Sequence, residues 1–429
     1  MPMLTENDDE TTEQKTSAEV ADFASKKSAD GCTINACSPL TPVINSPHLR
    51  TIDEIVSVLQ PSVPLYCIRY KYIKSISARF VATFPGTVLY AVKCNSDERV
   101  LQAVWEGGVH HFDCASPKEI ELIQNLFPDG IIHFMNPIKN RHAIHSAYFK
   151  YGVRDFSVDT INELEKVIEV TKDQRSLGIC VRLSVPNGHA MCDLSRKFGA
   201  NIPDAVNILR RARSIAKCLG ICFHVGSQCL DPAAYELALM MVRGVISQAD
   251  VRIDVIDVGG GFPISYPNTV PPPLNLYFSA IERGFRALNL PAETAIWCEP
   301  GRALVAAACS LIVSVTARRD NILHINDGIF GNLHDAGPMN WQFPVRRIYF
   351  DSSISSYTVE NFSFYGPACD DADFMQGPFF LPDDIEEGDF IEIGQIGAYT
   401  SALRTSFNGY GETLVAVVSD EPMIKTLDH

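Results

Sequence analysis

A chain of 429 residues, 46% hydrophobic and 20% charged, has the balance of an ordinary globular protein and the length for two domains and a sizeable core. Its formal net charge of -15 disfavours nucleic acid or an anionic membrane surface as the main partner, and says little about a small substrate held in a pocket with its own local field. Thirteen cysteines without a CxxC pair or a regular spacing point to reduced thiols in a cytoplasmic setting, and no metal is expected.

Residues 1–50 are rich in Asp, Glu, Thr, Ser and Lys, lack helical or strand periodicity, and read as a disordered tail. Glu6, Asp8, Asp9 and Glu10 argue against a transit peptide, and no secretory signal or membrane-spanning run is expected. Residues 51–80 form a lead-in segment expected to pack on the barrel or on the β domain described below.

From Gly86 onward, short apolar runs alternate with amphipathic stretches. The runs are GTVLYAV (86–92), VHHFDCA (109–115), GIIHFMN (130–136), VRDFSVD (153–159), LGICVRLSV (177–185), GICFHVG (220–226), IDVIDVG (253–259) and TAIWCEP (294–300). Segments such as INELEKVIEV and AVNILRRARSIAKCL lie between them with helical spacing. Ser116 with Glu119, and Thr160 with Glu163, are spaced as capping boxes. A doubly wound open sheet would show the same alternation, but eight units over residues 81–310 is the count of a (β/α)8 barrel. After Leu311 the texture changes to strands separated by turns, predicting an antiparallel β domain over 311–429.

Chemistry in such a barrel sits where the strands end. Those ends carry Lys93, Asp113, Arg182, His224 with Ser227, the glycines 259–261, and Glu299 followed by Gly301 and Arg302. Taken singly, each has a structural reading. A strand-end lysine can be an ion pair, GGGFP a tight turn, and a histidine a satisfied core residue. Six such positions on one rim are hard to assign to chance. Bare N–H groups after strands 7 and 8 suit a phosphate. A lysine facing a phosphate site suggests a phosphorylated aldehyde held as a Schiff base, the chemistry of pyridoxal phosphate. Glu299 is placed to keep a pyridine nitrogen protonated, and His224 to stack on the ring.

Together these motifs resemble the ornithine decarboxylase family, the fold-type III pyridoxal-phosphate decarboxylases, over roughly residues 60–429. The resemblance makes Lys93 of YAVKCN the cofactor lysine. It carries Asp113 and, as a substrate-binding candidate, Glu119 of FDCASPKEI, Arg182 of VRLSV, and His224 and Ser227 of FHVGSQC. It also covers Gly259, Gly260 and Gly261 of DVGGGFP, and Glu299, Gly301 and Arg302 of EPGR. In the β domain, YGPACDDAD supplies Cys369 and Asp370, GAYT supplies Tyr399 as a phosphate contact, and FNGY (407–410) closes the pattern. The family implies a head-to-tail homodimer in which the Cys369–Asp370 loop reaches the partner's site. There Cys369 would protonate Cα and Asp370 would hold the far end of a cationic substrate.

Four positions depart from the family pattern. Gln228 stands where eukaryotic ornithine enzymes usually have Gly, as in diaminopimelate decarboxylases. Phe330, also a substrate-binding candidate, replaces a common Tyr. Asp335, a substrate-binding candidate, follows a shortened spacing and is preceded by His334, where an aromatic is expected. Ala368 replaces Thr. The resemblance implies decarboxylation of L-ornithine to putrescine, with two alternatives: another or modified amino acid, or a non-catalytic homologue like the antizyme inhibitors. Burial at the rim is expected to lower the Lys93 pKa and favour the neutral amine.

Overall fold

The computed structural model describes residues 33–36, 42–45, 50–172, 175–350 and 358–425. Eight parallel strands close a barrel. They are β1 Thr87–Ala91, β2 His111–Cys114, β3 Ile131–Phe134, β4 Asp155–Val158, β5 Gly178–Arg182, β6 Cys218–Cys222, β7 Val255–Asp257 and β8 Ala295–Cys298. Seven lie inside the predicted apolar runs, and β6 starts two residues ahead of its run, which begins at Gly220. Barrel strands are covered on both faces, so they read as continuous apolar stretches. In β1, Val88, Leu89, Tyr90 and Ala91 are all buried. Closure comes from β8 on β1, with Trp297 opposite Thr87 and Cys298 opposite Val88.

The helix caps form in part as predicted. Ser116 Oγ accepts the Glu119 N–H at 3.2 Å, and Thr160 Oγ1 accepts that of Glu163 at 3.1 Å. Such caps contribute about 1 kcal/mol each. Neither Glu is seen returning to its cap residue. Glu119 takes the Ala115 N–H and Glu163 takes the Lys139 N–H. A complete box forms instead at Thr51 and Glu54, starting the helix Ile52–Leu59.

That helix packs Ile52, Ile55 and Val56 on Leu65, Cys67, Ile312 and Ile348 of the sheet. The following helix, Tyr70–Thr83, sets Phe80 edge-on against Phe262 and Phe278 of the barrel. Only the short helix Arg302–Val305 follows β8. Tyr70–Thr83 therefore covers the barrel wall between the helices Leu274–Ala287 and Glu98–Glu106. The lead-in segment thus braces both units.

The second unit is a ten-stranded sheet. Its spine is β9 Cys309–Arg319, followed by β10 Ile322–Ile325, β11 Val345–Ile348, β12 Val359–Tyr365, β13 Phe374–Pro382, β14 Phe390–Ile393 and β15 Leu414–Val417. Most ladders are antiparallel. Exceptions are β10 on β12, and β15 on the strands Leu65–Ile68 and Pro42–Asn45, which are parallel. Within the segment expected to be a tail, Thr33–Ala36 and Pro42–Asn45 are strands, and the latter extends this sheet through β15. The rest of that segment lies outside the described residues. One apolar cluster runs without a break from the barrel into the sheet.

Candidate active site

Parallel strands bring their last residues to one end of the barrel. Lys93 sits just beyond β1 in the single turn Val92–Cys94. The turn is held from several sides. Tyr90 Oη donates to the Asn95 carbonyl at 2.9 Å, and Asn95 Nδ2 donates to Tyr66 Oη and to the Gly397 carbonyl. The Tyr399 N–H donates to the Cys94 carbonyl at 2.9 Å, which ties the sheet unit onto the rim.

Lys93 Nζ meets Asp113 Oδ2 at 2.6 Å, with Asp113 1% exposed at the end of β2. Burial opposes the Lys93 charge, but Asp113, then Glu299 and Tyr399, outweigh it and hold the ammonium well above its usual range. The expectation of a lowered Lys93 pKa is thus corrected: the carboxylates around the amine, which strand-end spacing does not reveal, decide its sign. Glu299 is 5% exposed, and burial, with Asp257 and Asp113 adding to it, raises its carboxyl well above the ordinary range.

The glycine turn follows β7. Gly259 adopts φ +69°, a conformation costly for other residues. A Cβ on Gly260 would stand 2.6 Å from the Glu299 carbonyl and 3.0 Å from His224 Nε2. Gly261 continues the turn with φ +106°. His224 Nδ1 accepts the Gly226 N–H at 3.0 Å, and burial, Arg182 and Lys93 keep the ring neutral by lowering its pKa. Arg302, 5% exposed, donates to Tyr266 Oη at 2.8 Å and to Ser227 Oγ at 3.4 Å. Its guanidinium lies 3.9 Å from the Trp341 ring centre, and Asp335 is 3.8 Å away. Gly301 lets this stretch pass close to Cys94, since a Cβ there would fall 2.8 Å from Cys94 Cβ. Tyr399 has φ +56° and stands near the same guanidinium.

These groups open into one cavity of ≈ 590 Å³. Lys93, Arg182, His224, Ser227, Arg302, Tyr399 and Asp335 line it, and His334 and Met339 form part of its wall. Asp113, Glu299 and the three glycines lie behind this lining. Glu119 was expected at the substrate; its carboxylate is engaged by the Ala115 N–H at 2.6 Å, and it is Ala115 that lines the cavity. Phe330 is not in this lining either. It packs 4.8 Å from Phe407 beside Pro367, Ala368 and Tyr410. Cys369 is exposed in that second group, its N–H donating to Asn408 Oδ1 at 3.0 Å, and Asp370 is exposed next to it. Within one chain, then, the predicted residues divide between a barrel-mouth cavity and a separate surface loop.

Sequence reasoning missed Tyr266 and Trp341, which brace Arg302. No local pattern announces them, because they approach only when barrel and sheet are packed together. It also passed over Asp257, although that residue opens DVGGGFP. Gln228, a noted departure, is buried with φ +56°. Its side chain bonds both the N–H and the carbonyl of Ile264, which offsets the strain of a position that suits Gly.

The family described as "Pyridoxal-dependent decarboxylase, pyridoxal binding domain" matches residues 71–306. A lysine/ornithine decarboxylase of Selenomonas ruminantium is 32% identical over 78% of this chain and 84% of its own length. An ornithine decarboxylase of Schizosaccharomyces pombe is 34% identical over 75% of each chain. The crystal structure of an arginine decarboxylase from Paramecium bursaria Chlorella virus, bound to agmatine, superposes with a TM-score of 0.76 at 25% identity, covering 86% of this chain and 100% of the viral one. A barrel mouth of this geometry and matches of this extent lead to one conclusion: the chain belongs to the pyridoxal-dependent decarboxylases.

Proposed function

We propose that this protein removes the α-carboxylate of L-ornithine to give putrescine. The observation that carries the reading is the Lys93–Asp113 pair facing a braced Arg302 across one cavity. The site also fits the cofactor. Arg302 Nε and Asp113 Oδ1 are buried and lack hydrogen-bond partners among the described residues, and the Gly259–Gly261 turn leaves no room for side chains. Arg302, Ser227 and the glycine N–H groups would hold the phosphate, Glu299 the pyridine nitrogen, and Lys93 the aldehyde carbon. When bound, pyridoxal phosphate supplies the electron sink for the bonding pair left by CO2.

The chain's own groups then divide the work. Neutral His224 offers a flat face in the cavity wall. Asp113 holds the Lys93 ammonium in place at the cavity wall through their 2.6 Å ion pair. Asp335, held near Arg302, and His334 supply the wall against which a substrate side chain lies. Cys369 and Asp370 stand outside this cavity in their own chain, which favours a head-to-tail homodimer in which they complete the site of a second copy. Cys369 would return a proton to Cα, and Asp370 would pair with the distal ammonium. A reducing cytoplasm suits the free thiols of the described residues. Among those residues no helix is long and apolar enough to cross a membrane.

Decarboxylation of a different or modified amino acid is favoured by one observation: His334 and Asp335 line the cavity while Phe330 does not. CO2 release from ornithine, lysine, arginine and diaminopimelate separates the two readings. Negligible turnover of ornithine beside a better substrate rejects the first. Purified protein without the bound cofactor's absorption band would point to a non-catalytic homologue instead.

A further inference from the structure

We propose that Asp373 is a positioning residue for the proton donor: its buried carboxylate clamps the loop carrying Cys369 and Asp370 onto the sheet unit, so that the thiol is presented in one fixed place. The inference rests on the reading above that this loop completes the site of a second copy.

The loop is the turn of a hairpin. β12 and β13 pair as far as Tyr365 opposite Phe374, and residues 366–373 join them. Cys369 and Asp370 are exposed at its tip, whereas Asp373, at its neck, is 1% exposed. The Gly366 N–H donates to the Asp373 carbonyl at 2.9 Å, and the Asp373 N–H to the Asp370 carbonyl at 3.0 Å. At the tip, Asp370 Oδ1 accepts the Ala372 N–H at 2.9 Å. These bonds shape the loop from within but do not fasten it to the rest of the molecule.

The Asp373 side chain does fasten it. Oδ2 accepts the N–H of Ala368, the residue before Cys369, at 3.0 Å. Oδ1 accepts the N–H of Ile329, the residue before Phe330 in the segment after β10, at 2.8 Å. A carboxylate is suited to this place, since it offers two acceptor oxygens to two converging donors and bonds them more strongly than a neutral group would. The surroundings are shaped for it, because a Cβ on either Gly328 or Gly366 would collide with the carboxylate. The receiving segment is itself held. Asp327 Oδ1 accepts the N–H groups of Gly328 at 2.7 Å and Asn332 at 2.8 Å. The Phe330 carbonyl accepts the Thr405 N–H at 2.9 Å, which joins this segment to the turn whose Asn408 receives the Cys369 N–H. Asp373 is thus the buried link between the loop and a platform made of residues 327–333 and 405–408.

The test asks on which side of the shared site Asp373 acts, because each site takes Lys93 from one chain and the loop from the other. Asp373→Ala should keep the bound cofactor's absorption band. Its turnover of the amino acid that the wild type handles fastest should fall about a hundredfold, the scale of a reacting group misplaced by about 1 Å. Mixed in equal amounts with Lys93→Ala and allowed to exchange subunits, it should regain about a quarter of wild-type activity, since half the dimers then hold one site built from intact parts. Mixed with Cys369→Ala it should regain nothing, because both lesions lie on the same loop. Asp373→Asn keeps the volume and one acceptor oxygen, should lose less turnover, and carries the same mixing test if the alanine variant does not fold. Recovery with Cys369→Ala would overturn the proposal. So would a failure to recover with Lys93→Ala despite confirmed exchange, the mark of a defect in the whole subunit, and so would wild-type turnover in Asp373→Ala. The control pair of Lys93→Ala with Cys369→Ala keeps the two readings apart. Recovery there beside any of these three results refutes the role of Asp373 alone, and no recovery there refutes the shared site and the proposal with it.

Discussion

Replacing Asp113 with Asn removes the countercharge that holds the Lys93 ammonium while preserving the size of the buried side chain. The groups meet at 2.6 Å. At that separation, an effective dielectric of about 20 gives an attraction of about 6 kcal/mol. The Lys93 side chain is 42% exposed toward the cavity, so solvent screening reduces this to about 3 kcal/mol. Glu299 and Tyr399 still act on the amine in the variant. About 3 kcal/mol is about a hundredfold in the fraction of neutral amine at a fixed pH. Brief labelling of cofactor-free protein with an amine-reactive reagent between pH 6 and 10, read by peptide mass spectrometry, measures that fraction. Lys118, with a 92% exposed side chain, is the internal standard. Lys93 in Asp113→Asn should label about a hundredfold faster than in wild type relative to Lys118. Equal relative rates would refute the claim that Asp113 sets the charge of the lysine.

Gly260→Ala places a Cβ 2.6 Å from the Glu299 carbonyl, so the end of β8 must shift; equilibrium dialysis should show cofactor affinity weakened about tenfold, as for an overpacked site. Neither Lys93→Ala nor Cys369→Ala should decarboxylate alone, but mixed after subunit exchange in equal amounts they should recover about a quarter of wild-type activity, since half the dimers carry one intact site; no recovery despite confirmed exchange would reject the shared site. At the opposite mouth of the barrel, His111 Nδ1 lies 2.9 Å from His133 Nε2, and His133 Nδ1 lies 3.0 Å from Asp155 Oδ2. Burial, with His133 and His110 adding to it against Asp155, lowers His111 to about 4. An unfolded chain then binds a proton between pH 6.5 and 4 that the fold refuses, so stability falls as pH drops through that window, by about 1–2 kcal/mol after allowing for partial exposure. Urea midpoints at pH 7.5 and 5 should differ less in His111→Gln than in wild type, and an unchanged difference would place the acid sensitivity elsewhere.

The eight barrel strands were legible because a strand buried on both faces must be apolar along its length, and that pattern is local. The helix starts at Ser116 and Thr160 were legible for the same reason, down to the accepting hydroxyl. The reciprocal arms of those caps were not, because Ala115 and Lys139 compete for the two glutamates only once the rim is assembled. The polar strand ends announced Lys93, His224, Glu299 and Arg302 as a set, since parallel closure leaves them no other end of the barrel to occupy. What the set does electrically is not local. The charge on Lys93 is a balance between burial and carboxylates supplied by β2 and β8, and its sign came out opposite to the expectation from burial alone. Arg302 owes its fixed position to Tyr266 and Trp341, which reach it from distant parts of the chain. The separation of Phe330, Cys369 and Asp370 from the barrel mouth was equally invisible, because it depends on how the sheet docks. Sequence by itself determined the elements and the inventory of the site, since periodicity and turn chemistry act over a few residues. Tertiary structure alone decided which groups meet and which of them are charged, since proximity and desolvation exist only after closure.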